Sequence, residues 1–262
     1  MSSSKCPVNK CDGTGIILVD YPPNGYYKDY NYPHTVSHRC ECSGKSSAEF
    51  RRSRAYLPYQ YSSMKGKDFD WNLYNCDVTK QKMIVNDFII NFTDYEKSSK
   101  GLYVYSRTKG SGKTMLSAVI ANELMDRISM SVKFVTVLDL LELVKKNYKS
   151  GDYNDEIAEF YKARLLILDD IGTEIKKEHT DMVLFQLINE RCNKKLTTIF
   201  TSNLAIENLS LDERTIDRIN SMAIMINIPD VPVRKNKTEK ENMDFLYRNR
   251  EKSSKTWYSD DK

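Results

Sequence analysis

Gly110-Ser111-Gly112-Lys113-Thr114 is a run of residues suited to one kind of chemistry, the cradling of phosphate. It follows the apolar residues Leu102 to Tyr105 and opens the helical pattern of Met115 to Leu124. In a turn between strand and helix, backbone N–H groups converge on phosphate oxygens, and the first helical turn adds its positive dipole end. Lys113 is placed to reach the β- and γ-phosphates, and the Thr114 hydroxyl to ligate Mg²⁺. One position departs from the G-x-x-x-x-G-K-[ST] spacing, because the residue five before Gly112 is Arg107. A Cβ there restricts angles that glycine permits. Either the turn at 107 lies in an ordinary backbone region, or phosphate affinity and hydrolysis are altered. Arg107 and Lys109 add positive charge near the phosphates, so binding need not suffer.

A second group of candidates lies downstream. Leu165-Leu166-Ile167-Leu168-Asp169-Asp170 reads as a buried strand that ends in two carboxylates, at the sheet edge where open α/β folds place ligands. Asp169 suits the Mg²⁺ shell, and Asp170 suits orientation and deprotonation of an attacking water. The following strand, Thr197 to Thr201, ends in Ser202-Asn203, whose amide can position that water. Arg214 and Arg218, four apart, share one helical face, where a planar and permanently charged donor could reach a neighbour's γ-phosphate. A solvated face paired locally with Asp217 is the alternative.

The first 50 or so residues suggest different chemistry. Cys6, Cys11, Cys40 and Cys42 could close two knuckles on one Zn²⁺, with His38 as a substitute ligand and free thiols as the alternative. Tyr26, Tyr27, Tyr30 and Tyr32, with Lys28, either pack over such a coreless module or stack on single-stranded bases or a partner. Arg51 to Arg54 is either a phosphate-touching patch or a solvated linker. Cys76, Cys192 and His179 carry no evident chemistry.

The elements that must position these residues alternate. Helical spacing over Met83 to Phe92 precedes the loop strand, and a strand at Val132 to Val137 and a helix at Leu138 to Tyr148 follow its helix. After a polar span from Ser150 to Glu159 come the Asp-Asp strand, a helix at Thr180 to Cys192, the strand at Thr197, a helix at Asp212 to Ile219 and a strand at Ala223 to Ile228. This alternation implies an α/β fold with a parallel sheet covered by helices on both faces. The expected segments are a metal-binding module at 1–54, a linker at 55–80, the α/β domain at 81–235 and a charged tail at 236–262. Across 262 residues, 40% are apolar, mean hydropathy is −0.58 and net charge is +4, a balance that suits a soluble globular protein. No apolar stretch nears the roughly 20 residues that span a bilayer. The absence of an apolar leader points to the cytoplasm, where cysteines favour metal or free thiols over disulfides.

Taken together, Gly101 to Tyr105, the Gly-Ser-Gly-Lys-Thr loop, Leu165 to Glu174, Ile199 to Leu204, Glu213 to Arg218 and Val233-Arg234 resemble the AAA+ ATPases of the DnaC/DnaI helicase-loader group, which includes the IstB transposition helpers. The resemblance covers about residues 55–235. It implies a P-loop NTPase core with strand order 5-1-4-3-2, using ATP and Mg²⁺. It implies Lys113 and Thr114 as Walker A, Asp169 and Asp170 as Walker B, Asn203 as sensor 1, Arg218 as the arginine finger and Arg234 as sensor 2. The implied partners are a replicative DnaB-type helicase, single-stranded DNA and further copies of the chain, with no membrane. DnaI-type loaders carry a zinc-binding N-terminal domain that contacts the helicase, and the cysteine module resembles one. Arg107, Thr108 and Lys109 depart from the family pattern. A transposition helper and a non-hydrolysing, ATP-binding zinc adaptor are the alternative functions.

Overall fold

The computed structural model describes residues 10, 16–40, 51–128, 130–150, 155–172 and 178–250. At the N-terminal end, β1 (Ile16–Tyr21) and β2 (His34–Arg39) form an antiparallel pair, in register from Ile16 opposite Arg39 to Tyr21 opposite His34. The larger unit begins with α1 (Thr79–Ile90) and α2 (Phe92–Lys97). Its sheet is built from β3 (Gly101–Tyr105), β4 (Val132–Thr136), β5 (Leu165–Ile171), β6 (Thr197–Ser202) and β7 (Ala223–Asn227). Between and after them run α3 (Lys113–Arg127), α4 (Val137–Ser150), α5 (Asp155–Lys162), α6 (Glu178–Asn193), α7 (Glu213–Met222) and α8 (Val233–Arg250). The strands are all parallel, in the order β4-β5-β6-β3-β7. Counted from the first strand of this unit and read from the far edge, that order is the expected 5-1-4-3-2.

The strands read as unbroken apolar runs because both faces are covered. Successive side chains go to opposite sides. Leu102, Val104, Leu165, Ile167 and Ile199 join a core with α1 and α3, while Tyr103, Leu166, Leu168 and Phe200 join one with α4 to α7. Gly101 is required by proximity: a Cβ there would stand 1.8 Å from the Thr198 carbonyl oxygen.

The structure adds detail that composition did not suggest. Within residues 55–80, expected as a linker, Ala55, Leu57, Tyr61, Phe69, Tyr74 and Val78 are buried in the α3 core. Asn122 of α3 donates to Tyr61 O and Met64 O, and the Phe134 N–H donates to Ala55 O, so this stretch is fixed by hydrogen bonds as well as by apolar burial. The polar span before β5 contains α5, because Ile157, Phe160 and Tyr161 fall at helical spacing and Phe160 is buried. Arg52 pairs with Asp126, and Arg54 donates to Glu159 at 2.7 Å, so these arginines are engaged with carboxylates of α3 and α5. Among the described residues no helix is long and apolar enough to cross a membrane.

Candidate nucleotide site

The loop after β3 turns into α3 through two glycines with left-handed backbone, Gly110 at φ +74° and Gly112 at φ +100°. At Gly112 a Cβ would also crowd the Tyr74 hydroxyl, at 3.1 Å. That hydroxyl donates to Ser111 O at 2.6 Å, and burial pushes its pKa up, so Tyr74 is a neutral donor under the loop. Lys113, 7% exposed, donates to Ser106 O (3.3 Å), Thr108 O (3.1 Å) and Ser111 Oγ (3.2 Å). Burial lowers its pKa, while the carboxylates of Asp170, Asp169 and Asp230 oppose that fall. Arg107 does not adopt a positive φ, which answers the question its Cβ raised: the turn there is ordinary backbone.

Opposite the loop, β5 ends in a bulge against β6 between Leu168 and Ile171. The bulge puts Asp170 at φ +61°, a conformation costing on the order of 1–2 kcal/mol for an L-residue and tolerated best by Asn and Asp. Its N–H donates to Thr201 Oγ1 at 2.9 Å and Asn203 Nδ2 donates to its Oδ1 at 2.7 Å, which helps to hold it there. Thr201 Oγ1 in turn donates to Asp169 Oδ1 at 2.5 Å, and Thr114 Oγ1 donates to Asp169 Oδ2 at 3.1 Å. Burial raises the Asp169 pKa, against the hydrogen bonds from Thr201 and Thr114. A buried carboxylate that is under-compensated, with a threonine hydroxyl on its second oxygen, fits a divalent cation.

A cleft of about 360 Å³ brings these groups together. Gly110, Ser111, Gly112, Lys113, Thr114, Asp169, Asp170, Asn203 and Arg234 all line it. Arg234 arrives at the first turn of α8, where its N–H donates to Gly110 O at 3.0 Å. Thr201, whose hydroxyl links the Asp169 carboxylate to the Asp170 N–H, was not anticipated as a site residue. Its signal was a hydroxyl at a strand tip two residues before Asn203. Tyr74 and Asp230 left no sequence signal, since both reach the loop from distant segments.

A family model described as "IstB-like ATP binding protein" matches residues 58–237, more than half of the chain. The chain belongs to this family. Among relatives, the replicative helicase loader DnaC of Escherichia coli (strain K12) is 28% identical over 132 residues, covering 48% of this chain and 54% of that protein. The replicative helicase loader DnaI of Bacillus subtilis (strain 168) is 31% identical over 126 residues, covering 48% of this chain and 40% of that protein. The chain thus spans about half the length of the curated relatives it matches. A crystal structure of DnaI superposes with a TM-score of 0.57 at 28% identity, covering 67% of this chain and 96% of that one.

Arg218 is exposed on α7 and does not line the cleft, while Arg214 on the same helix is held by Asp212 at 3.0 Å and lies 4.8 Å over the Phe185 ring. Of the cysteines proposed for zinc, Cys6, Cys11 and Cys42 lie outside the described residues, and Cys40 is buried just after β2. Among the described residues there is no group of three or more His, Cys, Asp or Glu that could hold a metal.

Proposed function

We propose that this protein is an ATPase that loads a replicative, DnaB-type hexameric helicase onto single-stranded DNA in the cytoplasm. The observation that carries the reading is the convergence of Lys113, Thr114, Asp169, Asp170 and Asn203, from three separate chain segments, on one cleft. Lys113 is in place to exchange the loop carbonyls it now contacts for phosphate oxygens. Bound Mg²⁺ would be held by Thr114 and Asp169 and would neutralise charge developing between the phosphates. Asp170, aimed by Asn203, would accept the proton of the attacking water, and Arg234 would contribute positive charge at the phosphate end.

Among the described residues, Arg234 is the arginine that lines the cleft. Arg218 fits as the donor that one copy presents to the site of the next, which makes self-association part of the function. Cys6, Cys11, Cys40 and Cys42 would fold a zinc-bound module that contacts the helicase. The relatives named as helicase loaders support this reading over a transposition helper.

ATP hydrolysis stimulated by helicase or single-stranded DNA, and lost in Lys113→Ala and Asp169→Asn, is the expected result. Wild-type protein that neither binds nor hydrolyses ATP would remove the enzyme reading. Copurification with the replicative helicase, compared with a transposase bait, decides the partner. One zinc per chain by metal analysis, reduced in Cys40→Ser, checks the module.

A further inference from the structure

Arg107 stands where a phosphate loop ordinarily has glycine, and although its turn is ordinary backbone, a group from outside the loop holds it. The group that does so is a carboxylate on the segment between β7 and α8. Asp230 Oδ1 accepts from the Arg107 N–H at 2.7 Å and from Ser106 Oγ at 2.8 Å, and Ser106 Oγ accepts from the Thr108 N–H at 3.3 Å. We propose that Asp230 is a positioning residue for the phosphate loop, fixing the Ser106–Thr108 turn and coupling it to the segment that delivers Arg234. The proposal rests on the nucleotide-site reading above.

Three further observations support it. The carbonyls of the clamped turn, Ser106 O and Thr108 O, are two of the three acceptors that hold the Lys113 ammonium, so the clamp sets where that charge rests. The same segment bonds the loop on either side of Asp230. The Ile228 N–H donates to Tyr105 O at 2.8 Å and the Arg234 N–H to Gly110 O at 3.0 Å, so loop and segment are joined at three points. Asp230 is exposed, and partial desolvation alone would raise its pKa. The bonds from Ser106 and from the Arg107 and Thr108 N–H groups, with the Arg107 charge, bring it below the usual carboxylate range.

The test uses the full chain, titration with a fluorescent (mant) ATP and hydrogen exchange of the 103–112 segment without nucleotide. Asp230→Ala should speed exchange in that segment and weaken mant-ATP binding by about tenfold, the size expected for losing charge-assisted hydrogen bonds. Asp230→Asn keeps the Oδ1 acceptor and should stay within about threefold of wild type. Asp230→Ala with unchanged exchange, or with affinity within twofold of wild type, would overturn the proposal. If wild-type chain does not bind mant-ATP, the nucleotide-site reading fails. The exchange comparison, made without nucleotide, then still decides whether Asp230 fixes the turn.

Discussion

Tyrosine is used in opposite ways in the nucleotide cleft and in the N-terminal hairpin. Tyr74, 3% exposed, commits its hydroxyl to Ser111 O and its ring to Phe69 and Trp71 beneath the loop. In the hairpin, Tyr26, Tyr27, Tyr30 and Tyr32 are 42–57% exposed. They follow one another as a chain of ring contacts at 4.9–5.3 Å, flanked by Tyr21, His34 and His38. The difference follows from what each region can bury. A five-stranded sheet with helices on both faces has an interior, so a polar group there must find one specific partner. Two strands have almost none. Between residues 16 and 40 only Val36 and Cys40 are buried, and the rings cover one another instead.

That contrast can be broken by experiment. The largest effect is expected at Lys113→Ala, which should weaken mant-ATP binding at least about a hundredfold, since a buried ammonium and the phosphate contacts proposed for it would be lost together. Next, Arg218→Ala should leave mant-ATP affinity within about twofold while lowering steady-state turnover about a hundredfold or more, as for an arginine supplied by a neighbour. Equal loss of affinity and turnover would place Arg218 in its own chain's site.

Arg191→Met probes the core alone. Arg191 is fully buried and donates to Phe160 O, Ala163 O, Thr197 O and Thr198 Oγ1, tying the end of α5 to the start of β6. Burial pushes its pKa down to about 9, so it stays charged at neutral pH. Losing it strands four buried acceptors and should cost about 3 kcal/mol in urea unfolding. A smaller effect is expected for Tyr74→Phe, about 1 kcal/mol with a few-fold weaker nucleotide binding, because the ring stays and only one bond is lost. Smallest of all, Tyr27→Ala should move the core's melting midpoint by less than about 2 °C. A larger shift would show that the hairpin rings support the sheet.

The sequence by itself determined the parts that rest on local pattern. Gly110 to Thr114, the run into Asp169-Asp170, and Asn203 at a strand tip are short motifs with fixed chain order. The alternation of strands and helices supplied the parallel sheet that brings them to one edge. Arg107 was legible as a departure but not as a solved one. Only the tertiary structure decided that Asp230, 123 residues away, bonds that turn, that Thr201 joins the Asp169 carboxylate to the Asp170 N–H, and that the stretch from Ala55 to Val78 supplies buried residues to the α3 core. Spacing encodes contacts between neighbours on one helix, strand or turn. A hydrogen bond between segments far apart in the chain depends on the packing of the whole sheet, and no local pattern records it.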